Sequence, residues 1–138
     1  MDEATRQGLQ QGFGLTAEEV DSVTPNVLKI IASIPTFRKH RVIAEVTEST
    51  HCAAGIKAGQ RYIFNTIPPV LVPEDSDCPL CIRALGPVTG FVNTIMDRLA
   101  EGLDPNGAIF NTAECLDPGL GSGGMGKVRF RVYAEKKK

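Results

Sequence analysis

Four cysteines are the residues of this chain whose type and spacing could do chemistry. Two of them form a Cys-Pro-Leu-Cys pair at Cys78 and Cys81, and two stand alone at Cys52 and Cys115. A Cys-x-x-Cys pair lets two thiolates converge on one metal ion, and two more thiolates complete the tetrahedral shell of a structural zinc site. Zinc is favoured over iron because closed sites made only of thiolates are typically zinc sites. We therefore expect Cys52, Cys78, Cys81 and Cys115 to bind one structural zinc ion.

Two other interpretations of these cysteines stay open. A redox pair at Cys78 and Cys81 would follow a strand of a βαβ unit and open a helix, whereas here the pair follows the acidic, proline-bearing segment 73–77. Ordinary buried thiols are the other interpretation, since free cysteine is a common core residue. His51, beside Cys52, either replaces one thiolate or is a solvent-facing loop histidine.

A glycine-rich segment at 119–127 is the second motif. Gly121, Gly126 and Lys127 match the spacing of a phosphate-binding loop. The next residue is Val128, which offers no hydroxyl for magnesium, and a strand pattern follows where the motif needs a helix N-terminus. The segment therefore predicts a flexible turn that feeds a hairpin or edge strand, and nucleotide binding is not expected. His40 and His51 have no partner at a catalytic spacing, so no catalytic residues are predicted.

Composition and charge limit the class of protein. Apolar residues make up 42% of the chain and charged residues 22%, which is typical of a folded globular domain. The 15 basic and 16 acidic side chains give no basic excess, so nucleic-acid binding is not expected. No run approaches the ~20 apolar residues of a membrane span, and the first six residues lack the pattern of a secretory signal. These features predict a cytoplasmic protein, in which stable disulfides are rare.

The N-terminal part of the chain predicts short helices. Residues 1–15 show no steady period and are expected to form an extended arm or weak helix. Thr16 and Glu19 form a capping-box pattern, and Thr24-Pro25 is a second helix start. The helix that follows has a broad apolar face and is expected to end at Pro35; this face consists of Val27, Leu28, Ile30, Ile31 and Ile34. We predict that residues 1–38 form a helical arm that docks onto a partner.

From residue 41 the pattern changes to strands. The segments 41–48, 60–65 and 127–134 are predicted strands, and a further short strand is expected at 108–112. Residues 70–72 are expected to form a short edge strand or an extended link. Apolar residues from Val88 to Leu99 recur at helical spacing, and Gly102 is a stop signal. The prediction is an α+β fold with a small, mostly antiparallel sheet, one internal helix and an N-terminal helical extension. The domain at 39–138 is expected to be stabilised by its metal ion.

The stretch from about residue 41 to 134 resembles a family of small bacterial cysteine-containing proteins. The resemblance rests on a C-x-x-G, C-x-x-A and C-x-D pattern, with a glycine after the helix; its residues are Cys52, Gly55, Gly59, Cys81, Ala84, Gly102, Cys115 and Asp117. Cys78 and the first 40 residues depart from the family pattern. The extra cysteine would complete a four-thiolate site, and the added arm suits a subunit that binds another protein.

In size, cysteine content and lack of a catalytic set, the chain is also similar to the small subunits of ATP-dependent acetone and acetophenone carboxylases. The resemblance implies a zinc-containing accessory subunit whose larger partner subunits carboxylate a ketone. The functional prediction is thus a non-catalytic small subunit of a larger cytoplasmic enzyme, bound to the catalytic subunits through its N-terminal arm. The alternative is a stand-alone thiol or redox protein that uses Cys78 and Cys81.

Overall fold

The computed structural model describes the whole chain, residues 1–138, and confirms the predicted α+β class. It has four helices and one four-stranded antiparallel sheet. The helices are α1 (Glu3–Phe13), α2 (Ala17–Asp21), α3 (Pro25–Arg38) and α4 (Ile82–Ala100). The strands are β1 (His40–Thr50), β2 (Arg61–Asn65), β3 (Thr112–Glu114) and β4 (Lys127–Lys136). The chain divides into two compact units, Met1–Ala32 and Ser33–Lys138.

The first unit contains the capping interactions that begin its helices. The side chain of Asp2 accepts a 2.7 Å hydrogen bond from the Thr5 amide, and residues 3–13, expected to be an extended arm or weak helix, form α1. The predicted capping box is present, since Thr16 and Glu19 exchange hydrogen bonds of 2.8 and 3.1 Å. An ion pair of 2.7 Å between Arg6 and Asp21 joins α1 to α2.

Helix α3 begins at Pro25, as predicted, but the expected end at Pro35 is wrong. The helix continues through Pro35 to Arg38. Proline lacks an amide hydrogen, so one backbone hydrogen bond is missing inside the helix. The last turn, beyond Pro35, belongs to the second unit. Phe37 is buried in the core there, and its carbonyl accepts a 2.6 Å hydrogen bond from the Thr66 hydroxyl.

The second unit is a sheet covered on one face by α4. The strand order is β2-β1-β4-β3, and all neighbours are antiparallel. Alternate residues of the three longer strands face the helix, as the period of two in a strand requires. The core between them consists mainly of Val42, Ala44, Val46, Tyr62, Phe64, Val128, Phe130 and Val132 on the strands and Ala84, Val88, Val92, Ile95 and Leu99 on the helix. On the opposite face, Ile43 and Ile63 are also fully buried.

The edges of the sheet differ from the prediction. The strand expected at 108–112 lies instead at Thr112–Glu114, because its position is set by pairing of Ala113 with Phe130 of β4. Ile109 and Phe110, expected in that strand, are exposed. On the other edge the predicted segment 70–72 forms a single bridge, between Leu71 and Phe64. None of the helices combines the length and apolar character needed to cross a membrane.

Candidate functional site: the cysteine end of the sheet

The topology of the sheet brings all three cysteine-bearing loops to one end. Strands β1 and β3 both run antiparallel to β4, so they run in the same direction and finish at the same end. Cys52 follows β1, and Cys115 directly follows β3. Strand β2 begins at this end, and the Arg61 carbonyl accepts from the Cys78 amide at 3.3 Å. Cys81 follows as the N-cap of α4. All four thiols are free.

Three of the four cysteines line one cavity of about 70 Å³ at this end. Cys115 is almost completely buried, whereas Cys52 and Cys81 are half-buried. The cavity wall also contains two cations and one carboxylate, those of Arg83, Lys127 and Asp117; its remaining residues are Ala53, Ala54, Ile56, Ala84, Gly126 and Val128. Cys78 is only 5% exposed and does not line this cavity.

Tyr62 holds the Cys-x-x-Cys turn in place. Its ring is fully buried and stacks on Phe130 with 5.6 Å between the centroids. Its hydroxyl donates a 2.5 Å hydrogen bond to the Pro79 carbonyl and accepts one of 3.4 Å from the Cys81 amide. Burial, together with the neighbouring Cys78 thiol, raises the pKa of Tyr62 well above its usual range, so the hydroxyl stays protonated.

The Cys78 thiol is not poised as a nucleophile. Burial raises its pKa to about 11, and although the hydroxyl of Tyr62 acts in the opposite direction, the charges of Asp77, Cys52 and Cys81 add to the increase. A reactive cysteine requires the thiolate, which a lowered pKa provides.

Asp117 organises the glycine-rich segment. Its carboxylate accepts hydrogen bonds of 3.0 to 3.1 Å from the backbone amides of Gly119, Met125 and Gly126. These three amides hold the pKa of Asp117 below its usual range, and Arg83 at 4.0 Å adds to the effect. A Cβ at Gly124 would overlap this carboxylate. The backbone amides that a phosphate-binding loop would donate to a phosphate therefore donate to the Asp117 carboxylate instead.

The segment lies in the connection of an antiparallel hairpin between β3 and β4, one of the two predicted alternatives, and β4 is a central strand rather than an edge strand. Lys127, its first residue, donates hydrogen bonds of 3.0 and 2.9 Å to the carbonyls of Cys115 and Asp117. The Sγ of Cys115 accepts from the Val128 amide at 3.3 Å. Gly126 lies against the His51 carbonyl so closely that a Cβ there would overlap it. The glycine-rich segment thus joins the loops of Cys52 and Cys115.

Sequence reasoning found the four cysteines but missed Tyr62, and it named Lys127 only as part of the phosphate-loop spacing. Asp117 entered only through the C-x-D pattern, although an aspartate directly before a glycine cluster is itself a signal of a carboxylate bound by backbone amides. His51 is exposed, adopts a left-handed backbone conformation with φ of 49°, and does not line the cavity.

As the side chains stand, no group of three or more histidine, cysteine, aspartate or glutamate residues is arranged to hold a metal ion. The comparisons with known proteins add no assignment: no family model, no curated protein and no solved structure matches the chain.

Proposed function

We propose that this chain is a non-catalytic accessory subunit of a larger cytoplasmic enzyme, and that Cys52, Cys78, Cys81 and Cys115 bind one structural zinc ion. One observation carries the proposal: three loops from distant parts of the sequence bring four free thiols to the same end of the sheet. Thiolates in this number are the ligand set of structural zinc sites.

The proposal requires the thiols to move closer together when the ion binds. Cys52, Cys81 and Cys115 already line one small cavity, whereas Cys78 does not line it and must turn toward it. Such closure is ordinary for structural zinc, because ion binding and the final folding of the ligand loops are coupled. The cations of Arg83 and Lys127 at the cavity would partly offset the net negative charge of a four-thiolate site.

Metal analysis of purified protein tests the site. We expect about one zinc per chain, and near-complete loss after replacement of any one cysteine by serine, with a loss of several kcal/mol in the free energy of unfolding. His51→Ala is the matched control, since His51 adjoins Cys52 but lies outside the cavity wall; it should keep its zinc. Metal-free protein with four free thiols and unchanged stability would refute the site. Zinc loss only at Cys78 and Cys81 would indicate a partial or intermolecular site instead.

The partner is proposed to be the larger catalytic subunits, bound through the N-terminal arm. In α3 the side chain of Ile30 is 47% exposed, and Val27, Leu28, Ile31 and Ile34 are only half-buried. An ATP-dependent ketone carboxylase is the assembly that the resemblance in size and cysteine content suggests. Purification of the tagged chain from its native source, followed by identification of associated subunits and a carboxylation assay, tests this assignment. A chain that purifies alone as a monomer would contradict it.

A redox function of Cys78 and Cys81 is the second candidate, because the pair does open a helix: Cys81 is the N-cap of α4. The pair nevertheless follows a single 3-10 turn, Pro73–Asp75, and not a strand of a βαβ unit. The raised pKa of Cys78 also opposes thiolate chemistry at neutral pH. Turnover of a dithiol substrate by the metal-free chain, abolished by Cys78→Ser, would favour this candidate over the zinc site.

A further inference from the structure

A second cavity lies at the N-terminal end of β3, where β3 is too short to pair along the full length of β4. Beyond Thr112 the chain follows the edge of β4 without forming a strand. The Asn111 carbonyl accepts from the Val132 amide at 2.8 Å. The side-chain amide of Asn106 then pairs with the backbone of Ala134, accepting at 2.7 Å and donating at 3.0 Å. A cavity of about 270 Å³ opens between this loop, β4 and α4.

Three of the eleven residues in the wall of this cavity are aromatic, and one is charged. Phe91 of α4, Phe110 of the loop and Tyr133 of β4 line it. Phe110 is 82% exposed, so a bound molecule would remove a large apolar surface from water. Arg131 is the only charged residue in the wall; its other residues are Thr94, Ile95, Pro105, Asn106, Ala108, Asn111 and Val132.

Arg131 differs from the arginine two positions before it on the same strand face. Arg129 forms ion pairs of 3.0 Å with Glu48 and 2.9 Å with Glu114. Glu45 is directly opposite Arg131 in the sheet register, yet the two form no ion pair. The Arg131 guanidinium instead stacks on the Tyr133 ring, 4.6 Å from its centroid. Stacking fixes the plane of a guanidinium and leaves its N–H groups free for an anion.

We propose that this cavity binds a small monocarboxylate with a flat apolar body, whose carboxylate pairs with Arg131. Arginine matches a carboxylate through two parallel hydrogen bonds, and aromatic walls suit a flat apolar group. One unpaired cation matches one negative charge. The volume lies just below the range of about 300–1,000 Å³ of pockets that hold drug-sized ligands, so the ligand is smaller than these.

Binding can be measured on the full chain by ¹H–¹⁵N NMR titration with sodium benzoate as the probe. We expect saturable shifts that map to the cavity wall, including the Asn111 and Val132 amides. Benzamide, which has the same shape without the charge, should bind about tenfold more weakly or worse. Arg131→Gln should weaken benzoate binding by a similar factor, and Arg131→Lys, which keeps the charge but loses the planar fork, should fall between.

Arg129→Gln is the matched control, because Arg129 shares the strand and the face but lies outside the cavity; it should change benzoate binding by less than about threefold. The proposal is overturned if benzoate gives no saturable shift or shifts that map elsewhere. Equal affinity for benzamide and benzoate, or an Arg131→Gln chain that binds benzoate as tightly as the unaltered protein, also overturns it. Tighter binding of phenyl phosphate than of benzoate would overturn the assignment to carboxylates.

Discussion

Replacement of Tyr62 by phenylalanine tests whether its hydroxyl holds the Cys-x-x-Cys turn on the core. The change keeps the buried ring and its stacking on Phe130, and removes only the hydroxyl that joins Pro79 and Cys81. A hydrogen bond of this kind contributes about 0.5–1.5 kcal/mol net, and a buried partner left without one costs about 1–3 kcal/mol. Pro79 is half-buried, so water can replace part of the interaction.

We therefore expect Tyr62→Phe to lower the free energy of unfolding by about 1–2 kcal/mol, which corresponds to a fall in Tm of roughly 4–8 °C for a domain of this size. Urea denaturation monitored by circular dichroism measures the change in the free energy of unfolding. Tyr133→Phe is the control, since no hydrogen bond of the Tyr133 hydroxyl is present and its ring remains available to Arg131. Equal, small effects of the two replacements would show that the Tyr62 hydroxyl does not anchor the turn.

Three further outcomes are expected. Gly126→Ala should destabilise the protein by about 1–3 kcal/mol in urea denaturation, because its Cβ overlaps the His51 carbonyl; Gly121→Ala, in the same segment with open space around it, is the control and should be nearly neutral. The pKa of Asp117 is lowered in the folded state. The ionised carboxylate therefore stabilises the fold above the unfolded-state pKa of about 3.9, and this contribution is lost as the pH falls through the pKa of the folded state. The stability difference between the protein and Asp117→Asn should therefore shrink in acid, and a difference independent of pH would contradict the ionic role. A truncated chain, residues 33–138, should fold and stay soluble but fail to co-purify with the proposed larger subunits; an insoluble product would instead assign residues 1–32 to packing within the chain.

The start of the truncation at residue 33, rather than at 39, follows from the core. Phe37 is 3% exposed and belongs to the core cluster of the sheet, and the Ser33 hydroxyl donates to the Ala100 carbonyl at 3.3 Å. Removal of residues 1–38 would therefore damage the domain that the experiment is meant to preserve. Failure of such a shorter chain to fold would say nothing about docking.

The parts of the fold that depend on local patterns were predictable from the sequence. Strand β4 alternates apolar and polar residues, and the capping box at Thr16 needs only two residues three positions apart, so both were found. Helix α1 was not predicted as a definite helix because its sequence has no steady apolar period; the structure shows its Asp2 cap and the ion pair between Arg6 and Asp21. Strand β3 was misplaced because its position depends on a partner strand distant in sequence.

The candidate site shows the same division between local and distant information. Metal-ligand chemistry identifies the cysteines from residue types alone. Tyr62 contacts the Cys-x-x-Cys turn because β2 begins at the cysteine end of the sheet. This position depends on strand pairing and cannot be read from residue types. The glycine-rich segment matches a phosphate loop by spacing, and only the folded chain shows that Asp117 occupies its amides. A carboxylate that accepts three backbone hydrogen bonds orders a segment whose five glycines alone would indicate flexibility.

The shortness of β3 accounts for both proposed sites. The strand has three residues, against ten in its neighbour β4. At its C-terminal end it stops at Glu114, so Cys115 lies at the end of the sheet with its Sγ at the small cavity. At its N-terminal end it stops at Thr112, so the edge of β4 beyond Arg131 is covered by a loop instead of a strand, and the aromatic cavity forms there. A strand extended back to residue 108 would pair its own backbone with β4 in place of the Asn106 side chain. It would thereby close the second cavity without disturbing the first. The two sites can therefore be altered independently, and a loop replacement at 105–111 that abolishes benzoate binding should leave the zinc content unchanged.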